Sequence, residues 1–194
     1  MKPILFYRIK DMLLKIGASW DQLALDENNE SQEAQQYINP EPERQRDNDP
    51  YKFSLEYCLA HSGETINNRY RQNRPDDIDT QISDMLSTHT TDKDLILYRG
   101  VCDHVYELMV KNASESTDCD LLEKGFMATS LVKNHELNYK RKLRIFVPAK
   151  SHVIYMGNVN YEPNFYEVDI QHGAKLKIIS IDKTYINCRL META

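Results

Sequence analysis

The order of patterns along the chain predicts an α+β fold. Helical periodicity dominates the first half, and two-residue alternation takes over from about residue 94. Helices first and strands second imply antiparallel sheets rather than a doubly wound parallel one. A Gly-x-Gly-x-x-Gly turn and a P-loop lysine pattern are both absent from the sequence, so neither a Rossmann nor a P-loop nucleotide site is expected.

Residues 3–16 read as an amphipathic helix. Ile4, Leu5, Met12, Leu13 and Ile16 recur at helical spacing, and Gly17 is expected to stop the helix. Residues 26–50 are rich in Asn, Gln, Glu and Pro and lack apolar periodicity, which predicts a linker. Residues 51–73 return to a helical pattern through Phe53, Leu55, Tyr57, Leu59, Ile66 and Tyr70, read as one helix or as two broken at Gly63. Arg74-Pro75-Asp76-Asp77 ends that segment and starts another. Ile78, Ile82, Met85 and Leu86 form its apolar stripe, and its acidic first turn suits the helix dipole.

Leu95–Tyr98 predicts a strand and Asp103–Lys111 one more helix. Strands are then expected at Phe126–Val132, Lys142–Pro148, Val153–Met156, Tyr166–Ile170, Lys175–Ile181 and Tyr185–Leu190. The division that follows is an N-terminal helix with an acidic linker over 1–50, and a principal domain over 51–194.

Composition narrows the functional classes. The 194 residues are 41% hydrophobic and 28% charged, as in an ordinary globular chain with one sizeable core. Acids outnumber bases 30 to 24, for a net charge of -6, which argues against a nucleic-acid partner. Residues 26–49 contain eight acids and two bases and so carry that whole net charge. The four cysteines, 58, 102, 119 and 188, form no Cys-x-x-Cys pair, and the histidines form no ligand-spaced group, so no metal is expected. The cysteines read as reduced thiols. An apolar start broken by Arg8 and Lys10 is not a Sec-type signal, and no run of about 20 apolar residues predicts a membrane span. Export by a dedicated machine stays open.

Glycine is scarce, with six in the chain, so its placement is informative. Three glycines punctuate strands, within Leu97-Tyr98-Arg99-Gly100-Val101, Lys124-Gly125-Phe126-Met127-Ala128-Thr129-Ser130-Leu131, and Phe165-Tyr166-Glu167 followed six residues later by Gly173. Together these segments resemble the arginine–serine–glutamate class of mono-ADP-ribosyltransferases, the exoenzyme toxin family. That family has an arginine ending its first core strand, a G-F-x-S-T-S strand, and a late glutamate six residues before a glycine. Ile66-Asn67-Asn68-Arg69-Tyr70-Arg71 resembles the family's helix upstream of the arginine strand. The resemblance covers roughly residues 50–185.

The resemblance implies packed, largely antiparallel sheets with an N-terminal helical lobe and NAD in the cleft between. It implies a bacterial effector that reaches the host cytoplasm without a Sec-type signal and transfers ADP-ribose from NAD to a host protein. Glu167 is then the catalytic carboxylate. Arg99, Gly100, Phe126, Ala128, Thr129 and Ser130 form the NAD-binding group, and Phe165 and Tyr166 face the acceptor. The chemistry asks for such residues. Loss of nicotinamide leaves positive charge on the ribose, which a carboxylate stabilises, and an arginine grips pyrophosphate. Asp169 is passed over as the reacting carboxylate, because only Glu167 keeps the spacing to Gly173. Tyr155 and Tyr161 are further candidates for stacking.

Two positions depart from the family pattern. Ala128 stands where the first serine of S-T-S is expected, and that serine helps position the glutamate. Phe165 stands two residues before the glutamate, where a Glu or Gln selects the acceptor. A phenyl ring accepts no hydrogen bond from a guanidinium, which disfavours arginine as acceptor unless Glu162 or Asp169 substitutes. A hydroxyl acceptor is then expected, a feature similar to the threonine-specific effectors that modify ubiquitin. The rival readings are a degenerate domain that binds NAD or a protein without turnover, and an interaction module whose acidic 26–49 segment meets a basic partner.

Overall fold

The computed structural model describes residues 3–25, 49, 52–115, 117–157 and 159–194. Among the described residues, five α-helices and eight strands follow the predicted order, helices largely before strands. The linker expected over 26–50 lies outside the described residues, apart from Asp49. Its carboxylate accepts a hydrogen bond from the Tyr161 hydroxyl at 3.1 Å.

The N-terminal helix differs from expectation in two ways. Helix α1 (Pro3–Leu14) is followed by α2 (Ile16–Asp21), with Lys15 between them in the left-handed region at φ 52°. Gly17 is therefore no stop but lies inside α2, because a Cβ there would come within 2.5 Å of the Arg144 guanidinium. The second difference is orientation. No residue of α1 is buried, and Leu5, Met12 and Leu13 point to solvent.

Helix α3 (Leu55–Arg71) runs unbroken through Gly63, whose missing side chain faces open space. Ser54 caps it by accepting the Tyr57 N–H at 3.2 Å. Helix α4 (Asp77–Ser87) opens with a reciprocal capping box between Asp76 and Asp79. Arg69 clamps α3 to α4 by donating from Nε to buried Asp79 at 2.6 Å. Leu59, Ile66, Tyr70, Ile82 and Leu86 join Phe126, Ile154 and Met156 in a satellite core.

The strands are β1 (Leu95–Val101), β2 (Leu121–Glu123), β3 (Met127–Ser130), β4 (Arg141–Val147), β5 (Val153–Tyr155), β6 (Glu167–Ile170), β7 (Ala174–Ile181) and β8 (Tyr185–Glu192), with α5 (Asp103–Ser114) after β1. They hydrogen-bond in the order β2-β7-β8-β4-β1-β3-β6-β5. The expected two sheets are thus halves of one, joined where β1 and β3 share the single pair Tyr98↔Ser130. One neighbouring pair, β4 with β8, is parallel. Leu97, Leu143 and Ile145 from one half meet Met127, Val168 and Ile170 from the other in the main core. Strand β2 escapes sequence reading because three residues carry too little alternation.

Candidate active site

The narrow join between the sheet halves carries the candidate site. Strand β3 lies between β1 and β6, and Ser130 pairs with both Tyr98 and Glu167. This register places Arg99, the fifth residue of β1, across from the start of β6. A cavity of about 470 Å³ opens there, lined among others by Arg71, Arg99, Gly100, Ala128, Thr129, Ser130, Asn160, Glu162, Phe165 and Glu167. Sheet pairing thus brings the strand residues to one wall, while α3 adds Arg71 and the segment before β6 adds Asn160, Glu162 and Phe165.

Arg99 is half-buried and donates from Nη1 to the Ala128 carbonyl, tying the end of β1 to β3. Arg71, from the last turn of α3, is the second guanidinium on the cavity. It forks onto Glu123, donating from Nε at 3.0 Å and from Nη2 at 2.9 Å. The same carboxylate accepts the Gly125 N–H at 2.9 Å. Asn67 completes the brace, accepting from the Phe126 N–H at 2.7 Å and donating to its carbonyl at 3.1 Å. Gly125 is required here, since a Cβ would lie 2.4 Å from Asn67 Oδ1.

Glu167 is largely withdrawn from water, and this desolvation pushes its carboxyl above the usual range. A hydrogen bond from Asn160 Nδ2 opposes the shift, neighbouring Glu162 reinforces it, and Arg99 opposes it. Two residues on, Asp169 shares the face of Glu167. It is fully buried and does not line the cavity. Desolvation, and then the Glu167 charge, hold its carboxyl well above the ordinary range. Its Oδ1 has no hydrogen-bond partner among the described residues. With Asp169 buried behind it, Glu167 is the one of the two carboxylates that lines the cavity.

The ADP-ribosyltransferase exoenzyme model matches residues 29–191. The chain belongs to the ADP-ribosyltransferase exoenzyme family. The protein is accordingly an NAD-dependent mono-ADP-ribosyltransferase. Solved structures repeat the exoenzyme fold at low identity. Plx2a, an ADP-ribosyltransferase toxin from Paenibacillus larvae, is 17% identical over 96% of this chain and 98% of its own, with TM-score 0.55. The Clostridium limosum C3 exoenzyme is 20% identical over 73% of this chain and 87% of its own, with TM-score 0.56. C3stau2 from S. aureus, solved with NAD, is 15% identical over 71% and 85%, with TM-score 0.52. No curated protein matches by sequence.

Within the exoenzyme framework, two residues stand away from the cavity. Phe126 is buried in the satellite core, edge-on to Tyr70 at 5.4 Å and to His172 at 5.5 Å. Tyr166 adopts a left-handed backbone at φ 45° and packs its ring against His135, 4.8 Å away. A 3-10 turn over Pro163–Phe165 forces that reversal, and it leaves Phe165 rather than Tyr166 on the cavity. Tyr155 is core, and Tyr161 packs 5.0 Å from His61.

The β3 hydroxyls are also used differently from expectation. Thr129 Oγ1 donates to the Val168 carbonyl at 2.6 Å, and Ser130 Oγ to that of Val132 at 2.8 Å. Asn160 holds Glu167 instead, while its own Oδ1 accepts the Glu162 N–H at 2.8 Å. Sequence reading missed Asn160 because it lies in an irregular loop. The signal available was Ala128: a glutamate deprived of its usual serine needs another donor. No helix among the described residues is long and apolar enough to cross a membrane, and no group of three or more His, Cys, Asp or Glu among them could hold a metal.

Proposed function

We propose that this exoenzyme transfers ADP-ribose from NAD to a hydroxyl side chain of a host protein in the host cytoplasm, a threonine or serine, with ubiquitin as the candidate acceptor. The observation that carries the reading is Phe165 on the cavity, near the carboxylate of Glu167, at the position where a polar acceptor-selecting side chain is expected.

The roles follow from chemistry. Arg99 and Arg71 supply fixed positive charge for the NAD pyrophosphate. The bond from ribose to nicotinamide breaks, and nicotinamide leaves with the electron pair. Glu167, ionised, faces the positive charge that develops on the ribose, and Asn160 fixes the direction of its carboxylate. The acceptor oxygen then bonds to the anomeric carbon and releases its proton to water. The ring of Phe165 gives a hydroxyl-bearing side chain an apolar surface and offers a guanidinium no acceptor.

A second reading, an arginine acceptor, draws on Glu162, which also lines the cavity. Incubation with NAD and purified ubiquitin, followed by electron-transfer fragmentation of peptides, separates the two. Modification of threonine or serine is expected. Modification confined to arginine overturns the hydroxyl assignment.

A further inference from the structure

Helix α1 is turned the wrong way round for a surface helix. At 3.6 residues per turn, Leu5, Ile9, Met12 and Leu13 form one apolar stripe, with Phe6 beside it. That stripe faces solvent: Met12 and Leu13 are 69% and 70% exposed, and Leu5, Phe6 and Ile9 are exposed as well. The opposite side holds the helix to the domain through one aromatic and one acid. Tyr7 packs against the main core. Asp11 accepts from Gly17 N–H at 3.0 Å, Ser180 Oγ at 2.9 Å and Asn187 Nδ2 at 3.1 Å. Tyr7 and Asp11 thus anchor the helix, and the apolar stripe is left over.

The charges on this helix are sorted. Its only acid is Asp11, which is turned inward. Arg8 and Lys10 flank Ile9 about 100° to either side of the stripe, and Lys15 follows at the helix end. Residues 26–48, acidic overall, offer Ala34, Tyr37 and Ile38 as their only apolar residues, a poor match for an apolar stripe. An apolar stripe bordered by cations is the pattern of a helix that lies in the plane of an anionic lipid surface. We infer that α1 docks the enzyme on an anionic phospholipid membrane, with Leu5, Ile9, Met12 and Leu13 entering the acyl boundary and Arg8, Lys10 and Lys15 meeting headgroups.

The test is co-sedimentation of the full chain with vesicles of phosphatidylcholine alone and of phosphatidylcholine with phosphatidylserine. It is run beside the double variant Ile9→Asp, Leu13→Asp and the charge variant Arg8→Glu, Lys15→Glu. All four replaced positions are solvent-exposed, Ile9 the least so at 36%, and thermal unfolding verifies that each variant folds. The expected result is pelleting with the anionic vesicles only, weakened by added salt and lost in both variants. Absence of pelleting with either vesicle, or equal pelleting with both, overturns the inference. A wild-type dimer in solution that Leu13→Asp dissociates, without vesicle binding, overturns it in favour of a second copy as the occupant.

Discussion

At the scale of single residues, the account rests on Glu167 and the donor that holds it. In the proposed reaction, Glu167→Ala removes the group that faces the developing ribose charge. The expected loss is about 10²–10³-fold in kcat, on the order of 2.7–4 kcal/mol, by analogy with removal of one oxyanion-hole donor; steady-state NAD cleavage checks it. The pH profile gives a second prediction. Glu167 acts ionised, and burial raises its carboxyl, so activity rises with pH through an acid limb above the ordinary glutamate value of about 4.3. Glu162 pushes in the same direction, while the Asn160 bond and Arg99 push back. Asn160→Ala should therefore move the acid limb further up and lower kcat more than it changes KM. A profile that stays in place makes Asn160 a loop-building residue only. That Arg99, Thr129 and Glu167 meet on one cavity was legible, because each sits at a fixed offset from a glycine or within a strand pattern, although the Thr129 hydroxyl turns to the Val168 carbonyl. Asn160 was not, since its partnership is made across a loop with no periodicity. Phe126 misled because a motif position says nothing of which side of the strand meets the ligand and which meets the core.

At the scale of elements, the helices are held by a few polar clamps. Arg144, buried on β4, salt-bridges from Nε to Asp21 at the end of α2 at 2.8 Å and donates from Nη1 to Asp182 at 2.5 Å. Asp21 also accepts from the Tyr98 hydroxyl at 3.0 Å and from Lys133 at 2.6 Å. Asp21→Ala leaves these donors short of an acceptor and should cost about 1.5–3 kcal/mol, read as a lower urea midpoint with an unchanged slope. Gly125→Ala is expected to damage the site more than the fold. Its Cβ displaces Asn67 and with it the start of β3, so NAD affinity should fall while Tm moves little. The clamps explain which element boundaries were readable. The capping box at Asp76 is a local signal, and α4 begins where the sequence says. Gly63 and Gly17 suggested breaks, yet α3 continues because nothing opposes it, and α2 admits Gly17 because Arg144 crowds it. A contact between residues that far apart in sequence leaves no local trace.

At the scale of the whole molecule, a single sheet whose halves meet at one residue pair creates both the core and the cleft. The α+β class was legible from the order of helical and alternating patterns. The joining of the halves and the parallel β4–β8 pair were not, because strand order is set by long-range packing rather than by any one segment. The site has a cost in stability. Asp169 and Glu167 both have carboxyls raised by burial in the folded state, so between the unfolded and folded values the native protein binds more protons. Stability from these groups is therefore greatest below the unfolded carboxylate range and declines as pH rises. Asp169→Asn should raise Tm at neutral pH, and that gain should vanish in acid; a lower Tm at neutral pH would contradict it.

In the proposed reaction Glu167 promotes transfer of ADP-ribose from NAD to a hydroxyl of a host protein. Mass spectrometry of a eukaryotic lysate incubated with NAD and this enzyme, beside its Glu167→Ala variant, tests it most directly. The expected result is an ADP-ribose adduct on a threonine or serine that disappears with the variant. An adduct that persists in Glu167→Ala, or one carried only by arginine, would contradict it.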